Sequence, residues 1–157
     1  MAEKENKNML RAFMLVQQLQ PEYWAHAAHE PTPPVCPRNS GYDSDEAAWG
    51  RYDAAKEAHD GITAALAAAR AGDVAPLVGW IAARLKPCGV QEVHGILHDK
   101  DALTVWDGAK MEYVQTPKVN HVHILCRFRP QKKFSTDRTL ASVAAALGVE
   151  QQYIGNL

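Results

Sequence analysis

Eight residues, His121-Val122-His123-Ile124-Leu125-Cys126-Arg127-Phe128, alternate in character with a period of two. That is the period of a β-strand, so Val122, Ile124, Cys126 and Phe128 make one continuous apolar face while His121, His123, Leu125 and Arg127 share the other. A chain with such a strand needs a sheet that is covered on one side and open on the other. The open side then carries two imidazoles aimed at one point. Neutral imidazole is the commonest protein ligand for a divalent transition metal, and a spacing of two on a strand brings both rings within reach of one ion. Paired histidines on a half-exposed strand also occur as plain solvated positions, and the strand by itself leaves both readings open.

Upstream, an apolar strand from Val90 to Leu97 runs directly into His98-Asp99-Lys100-Asp101. Strand ends hand the chain to loops, which places these polar residues at a rim. One reading is a polar turn in which Asp99 and Asp101 cap backbone N–H groups. The other follows if the two strands pair as a hairpin: His98 and Asp101 then arrive beside His121 and His123. Three imidazoles and a carboxylate would converge, a set suited to Mn²⁺, Mg²⁺ or Zn²⁺. His94, on the same face as His98, is a sheet-face residue or a support for this cluster.

The His-hydrophobe-His strand preceded by His-Asp-Lys-Asp resembles the HUH-type rolling-circle replication initiators of small bacterial plasmids. The resemblance covers Leu10 to Gln18 as an opening strand, Val90 to Asp101, and Val119 to about Ile154. It implies metal ligation by His98, Asp101, His121 and His123, with Asp99 in support and Mn²⁺ or Mg²⁺ as the ion. It also implies a partner, origin DNA that is single-stranded at the nick site, and a reaction in which a tyrosine cuts one strand. The products are a free 3′-hydroxyl and a 5′-phosphotyrosyl link, and reversal makes the activity nicking-closing, like that of a topoisomerase.

The chain departs from that family at the tyrosine. The family's nucleophile lies on a helix beyond the two-histidine strand, after a further helix and strand. Here Ser135 to Leu147 reads as the helix and Gln151 to Ile154 as the strand, and the given sequence stops at Leu157. Tyr153 is the only tyrosine beyond the two-histidine strand, and its place in the last strand also suits packing. The expectation is therefore a nucleophile beyond Leu157, or a chain that binds DNA without cutting it. A hydrolase with a metal-activated water is a third reading of the same ligands.

The net charge of −1 argues against indiscriminate coating of DNA, but the charge is unevenly spread. Residues 21 to 85 hold nine acids and five bases, whereas residues 86 to 138 hold nine bases and six acids. Arg127, Arg129, Lys132, Lys133 and Arg138, interleaved with Phe128 and Phe134, form the densest basic run. Together with Lys100 they are the candidate DNA contacts, unless they are simply a solvated strand end and loop. Phe128 is better explained as core.

Cys36, Cys88 and Cys126 are odd in number and scattered, which suggests neither a disulfide framework nor a cysteine zinc site. No apolar run approaches the roughly 20 residues that span a bilayer, and the first eight residues lack a signal-peptide pattern, so a cytoplasmic protein with no membrane partner is expected. Self-association and contacts with host replication proteins are compatible with that setting.

The rest of the chain fits one domain, residues 1–157. Met9 to Gln18 suits a central strand buried on both faces, and Pro31 to Pro37 an extended linker. After a turn at Asn39-Ser40-Gly41, Ser44 is placed to cap an Ala-rich helix to about Arg70, stopped by Gly72. Asp73 caps a second helix through Leu85, with Leu77, Trp80, Ile81 and Leu85 facing the core. This helical insertion, about 43–86, is either an elaborated crossover behind the sheet or an accessory hairpin. Trp49, Tyr52 and Trp80 read as packing anchors; His26, His29 and His59 read as surface residues. Between the metal motifs, Asp107-Gly108 marks a turn between Leu103–Trp106 and Met111–Val114, a candidate β-ribbon carrying Tyr113. The expected class is α+β: a mainly antiparallel sheet with packed helices, ferredoxin-like or RNA-recognition-motif-like, with the metal on its exposed face. The sequence holds no phosphate-loop or dinucleotide fingerprint that would imply a nucleotide cofactor.

Overall fold

The structure, a computed structural model, describes residues 10–34, 43–100, 102–117, 119–129 and 136–156, except the side chains of 43–45, 136, 137 and 156. Val35 to Pro37, the turn at 39–41, Asp101, Lys132, Lys133 and Phe134 lie outside the described residues.

Four strands, β1 (Ala12–Gln18), β2 (Val90–His98), β5 (His121–Phe128) and β6 (Ile154–Asn156), form one antiparallel sheet in the order β2-β5-β1-β6. A separate two-stranded ribbon, β3 (Ala102–Asp107) and β4 (Glu112–Pro117), is inserted between β2 and β5. A one-turn helix, α1 (Ala25–Ala28), follows β1. Without the ribbon, the order of strands and helices is the split β-α-β-β-α-β arrangement of ferredoxin-like folds.

One side of the sheet is covered. Phe13 and Leu15 of β1 with Val122, Ile124, Cys126 and Phe128 of β5 pack beneath α2 (Asp43–Arg70), α3 (Ala75–Leu85) and α4 (Thr136–Leu147). Leu77, Ile81 and Leu85 of α3 are fully buried at the i, i+4, i+8 spacing of one helix face, each contributing about 1.5–3 kcal/mol by burial. Ile62 and Leu66 of α2 enter the same core. The helices between β1 and β2 are thus the crossover behind the sheet. Asp73 caps the start of α3 as its position suggests, with Oδ1 accepting from the Ala75 N–H at 3.1 Å. Gly72 ends α2 with φ of 102°, a conformation glycine adopts without a Cβ penalty.

Several sequence expectations are corrected. The first strand is central but not buried on both faces: Phe13, Leu15 and Gln17 are inside, whereas Met14, Val16 and Gln18 are half-buried on the open side. Helix α2 begins at Asp43, so Ser44 lies inside it. Trp49 is 40% exposed, held by an edge contact with Tyr52, whereas Trp80 packs edge-on against the buried Trp24. His26 and His59 are not simple surface residues. His26 meets the Arg84 guanidinium and the Trp80 ring, and His59 Nδ1 lies 2.8 Å from the His26 carbonyl. Burial, and secondarily the Arg84 charge, lower the His26 pKa from 6.5. Cys126 is core as expected, its thiol pushed up to about 12 by burial.

Candidate metal centre on the open sheet face

The antiparallel register of β2 and β5 sets His98 opposite His121 and Ile96 opposite His123. Paired residues in an antiparallel sheet project from the same face, so His98, His121 and His123 share the side away from the helices. Their ring centroids are 5.0 Å (98–121), 4.2 Å (98–123) and 5.2 Å (121–123) apart. One ligand nitrogen from each lies within 4.8 Å of the others, an arrangement able to hold a metal ion. Two metal–nitrogen bonds of about 2.1 Å separate their nitrogens by at most ~4.2 Å, so the donor set fits one ion after small rotations of the rings.

His121 is the most enclosed of the three, 6% exposed despite its place on the open face. Its Nδ1 lies 3.0 Å from the Val119 carbonyl. A carbonyl oxygen only accepts, so this bond requires Nδ1–H and makes Nε2 the basic nitrogen, the arrangement that commonly orients metal-binding imidazoles. Asp101, the fourth expected ligand, lies outside the described residues, and Asp99 is exposed at the loop. His94 is exposed on the same face, with its Nε2 3.7 Å from Glu92, and does not belong to the cluster.

Tyr153 is not in the last strand. It ends a short 3₁₀ turn, Gln151–Tyr153, that precedes β6. Its ring is half-buried and packs against the core, and it also lines a cleft of about 770 Å³ shared with His121 and His123. Met14 and Val16 form the cleft's sheet wall, and Leu103 and Pro117 at the base of the ribbon join it.

The candidate DNA contacts are dispersed. Lys100, Arg129 and Arg138 are exposed; Arg127 projects on the histidine face and pairs with Glu92 at 3.3 Å. The ribbon forms as expected, except that Met111 lies in its turn with φ of 53° rather than in a strand. Asp107 Oδ1 accepts from the Ala109 and Lys110 N–H groups and closes the tip. Trp106 and Tyr113, paired across the ribbon, contact edge-to-face at 5.0 Å and are 50% and 71% exposed.

Sequence reasoning missed Gln17. It sits at a core-facing position of β1, is 2% exposed, and lines the same cleft. A polar residue at the inward position of an alternating strand was the available signal. No helix among the described residues is long and apolar enough to cross a membrane. Comparison with protein-family models, curated proteins and solved structures returned no significant match.

Proposed function

We propose that this chain is a metal-dependent DNA-nicking domain of the rolling-circle initiator type, acting on single-stranded origin DNA in the cytoplasm. The observation that carries this reading is the convergence of His98, His121 and His123 on the open face of a ferredoxin-like sheet, with His121 and His123 lining one cleft with Tyr153. The three imidazoles would hold the ion, with Asp101, which follows His98 in the sequence, as the fourth ligand. Their nitrogens favour Mn²⁺ over Mg²⁺, which prefers oxygen ligands. A divalent ion there would withdraw charge from a phosphodiester that otherwise repels nucleophiles.

Tyr153 is the candidate nucleophile in this chain. Its phenolic oxygen would form the bond to phosphorus as the bond to the 3′-oxygen breaks; the phenolic proton leaves to solvent and the departing 3′-oxygen takes one up. Lys100, Arg127, Arg129 and Arg138, with Lys132 and Lys133, would meet neighbouring phosphates. A second reading, a DNA-binding replication module that keeps the metal but does not cut, is favoured by the packing of the Tyr153 ring against the core.

Incubation with end-labelled single-stranded origin oligonucleotides and Mn²⁺, followed by a denaturing gel, tests both. Cleaved DNA with a covalent adduct that disappears in Tyr153→Phe supports nicking by this tyrosine. Metal-dependent binding without an adduct supports the second reading, and failure to bind either Mn²⁺ or DNA overturns both.

A further inference from the structure

Strand β2 is the outer strand of the four-stranded sheet, and among the described residues no strand pairs with its far side. Which backbone groups lie on that side follows from the neighbouring bonds. The Phe128 N–H donates to the Arg11 carbonyl on the β1 side, whereas the Arg129 N–H donates to the Gly89 carbonyl on the β2 side. Alternation then aims the backbone of Arg127, Leu125, His123 and His121 at β2, where it bonds Glu92, His94, Ile96 and His98. The residues between, Val93, Gly95 and Leu97, turn their N–H and C=O groups outward. The edge has neither proline nor lysine, the usual devices that blunt one, and Ile96 on its open side is 63% exposed. A bulge at Gln91 interrupts it near its start.

Such an edge is satisfied by another strand, and this one is complementary to itself. We propose that β2 pairs antiparallel with β2 of a second copy of the chain, about a two-fold axis at Gly95, joining the two sheets into one. In that register the outward groups of Val93 meet those of Leu97 in the second copy, and Gly95 meets Gly95. On the helix side the half-buried Val93 and Leu97 side chains face each other across the axis. Beside Val93 a groove of about 440 Å³, floored by Ala82, Ala83 and Val90, is open to receive the second copy's Leu97. On the open side Glu92 comes opposite His98 of the second copy, a carboxylate against an imidazole, and Ile96 comes opposite His94, at the ~4.5–5.5 Å Cβ separation of directly paired residues. Neighbouring registers lose this match. An axis at His94 or at Ile96 opposes imidazole to imidazole, and one at Val93 draws the Gln91 bulge into the ladder. The pairing goes beyond the nicking reading and does not depend on it.

The test uses the full chain labelled with ¹⁵N and free of added metal or DNA, so the result is independent of the metal centre. Sedimentation equilibrium from micromolar to millimolar concentration should give a monomer–dimer equilibrium. Hydrogen exchange read by NMR should show the Val93, Gly95 and Leu97 amides protected at high concentration, with the protection lost on dilution. Val93→Pro removes an outward N–H that the chain's own ladder does not use, and Ile96→Lys places a charge on the edge without entering the core. Each variant should be monomeric at concentrations where the parent chain is dimeric. Ile96→Lys decides the matter if Val93→Pro lowers the thermal midpoint. A monomer at every concentration, a dimer undiminished in Ile96→Lys, or a dimer in which those amides stay unprotected overturns the pairing, whether or not the chain binds or nicks DNA.

Discussion

The rings of His98 and His123, on neighbouring strands but not directly opposite one another, stack with centroids 4.2 Å apart and planes inclined by 27°, closer than the directly paired His98 and His121. The diagonal approach gathers three imidazoles, where the two-histidine strand alone would offer two. Removing either member of the diagonal should therefore undo the centre. His98→Ala and His123→Ala are each expected to abolish measurable Mn²⁺ binding in calorimetry, while changing unfolding free energy by less than about 1 kcal/mol, since both side chains face away from the helices. Retained affinity in both variants would show that the ion sits elsewhere.

Stability should fall on acidification in a window set by His26. Its pKa is lowered in the fold, chiefly by burial and then by the Arg84 charge, so below 6.5 the unfolded chain binds more protons than the folded one. Folding is then progressively disfavoured from about pH 6.5 down to the folded-state pKa, with no contribution from this group above that window. Urea unfolding at several pH values should show this loss, and His26→Gln should flatten it. An unchanged pH profile in the variant would assign the loss to other groups.

Gly95 in β2 lies close beneath Val78 of the crossover helix α3. A Cβ there would meet Val78 Cγ2 at 2.6 Å and Ile124 Cδ1 at 3.0 Å. Gly95→Ala should destabilise the protein by about 1–3 kcal/mol through overpacking, lowering the thermal midpoint by several degrees. The companion change Val78→Ala should recover part of the loss in the double variant, because it removes the nearest obstacle.

The ribbon offers a separable test of nucleic-acid contact. Replacing both Trp106 and Tyr113 with alanine should leave the thermal midpoint nearly unchanged, because both rings are well exposed and outside the core. Single-stranded DNA affinity should fall by about tenfold, in the range of base–aromatic stacking of ~1–3 kcal/mol. Equal affinity in the variant would reduce the ribbon to a structural insertion.

The amino-acid order alone determined the elements and their faces. Period-two alternation over His121 to Phe128 specified a strand with an apolar and a histidine-bearing side, and the spacing of Leu77, Ile81 and Leu85 specified the helix face that covers it, because side-chain direction follows backbone period. The approach of His98 to those two histidines was legible as a consequence of pairing. What no local pattern carries is which strands become neighbours and what lies across the sheet, since those depend on contacts between distant segments. The tertiary structure moved Tyr153 out of the last strand into the preceding turn and set it in the histidine cleft. It also joined His26 to Arg84, 58 residues away, and tied the inward Gln17, a break in an apolar pattern, to the Tyr23 carbonyl through its side-chain N–H. Hydrogen bonds and desolvation are properties of the neighbourhood a side chain ends in, and only the assembled fold supplies that neighbourhood.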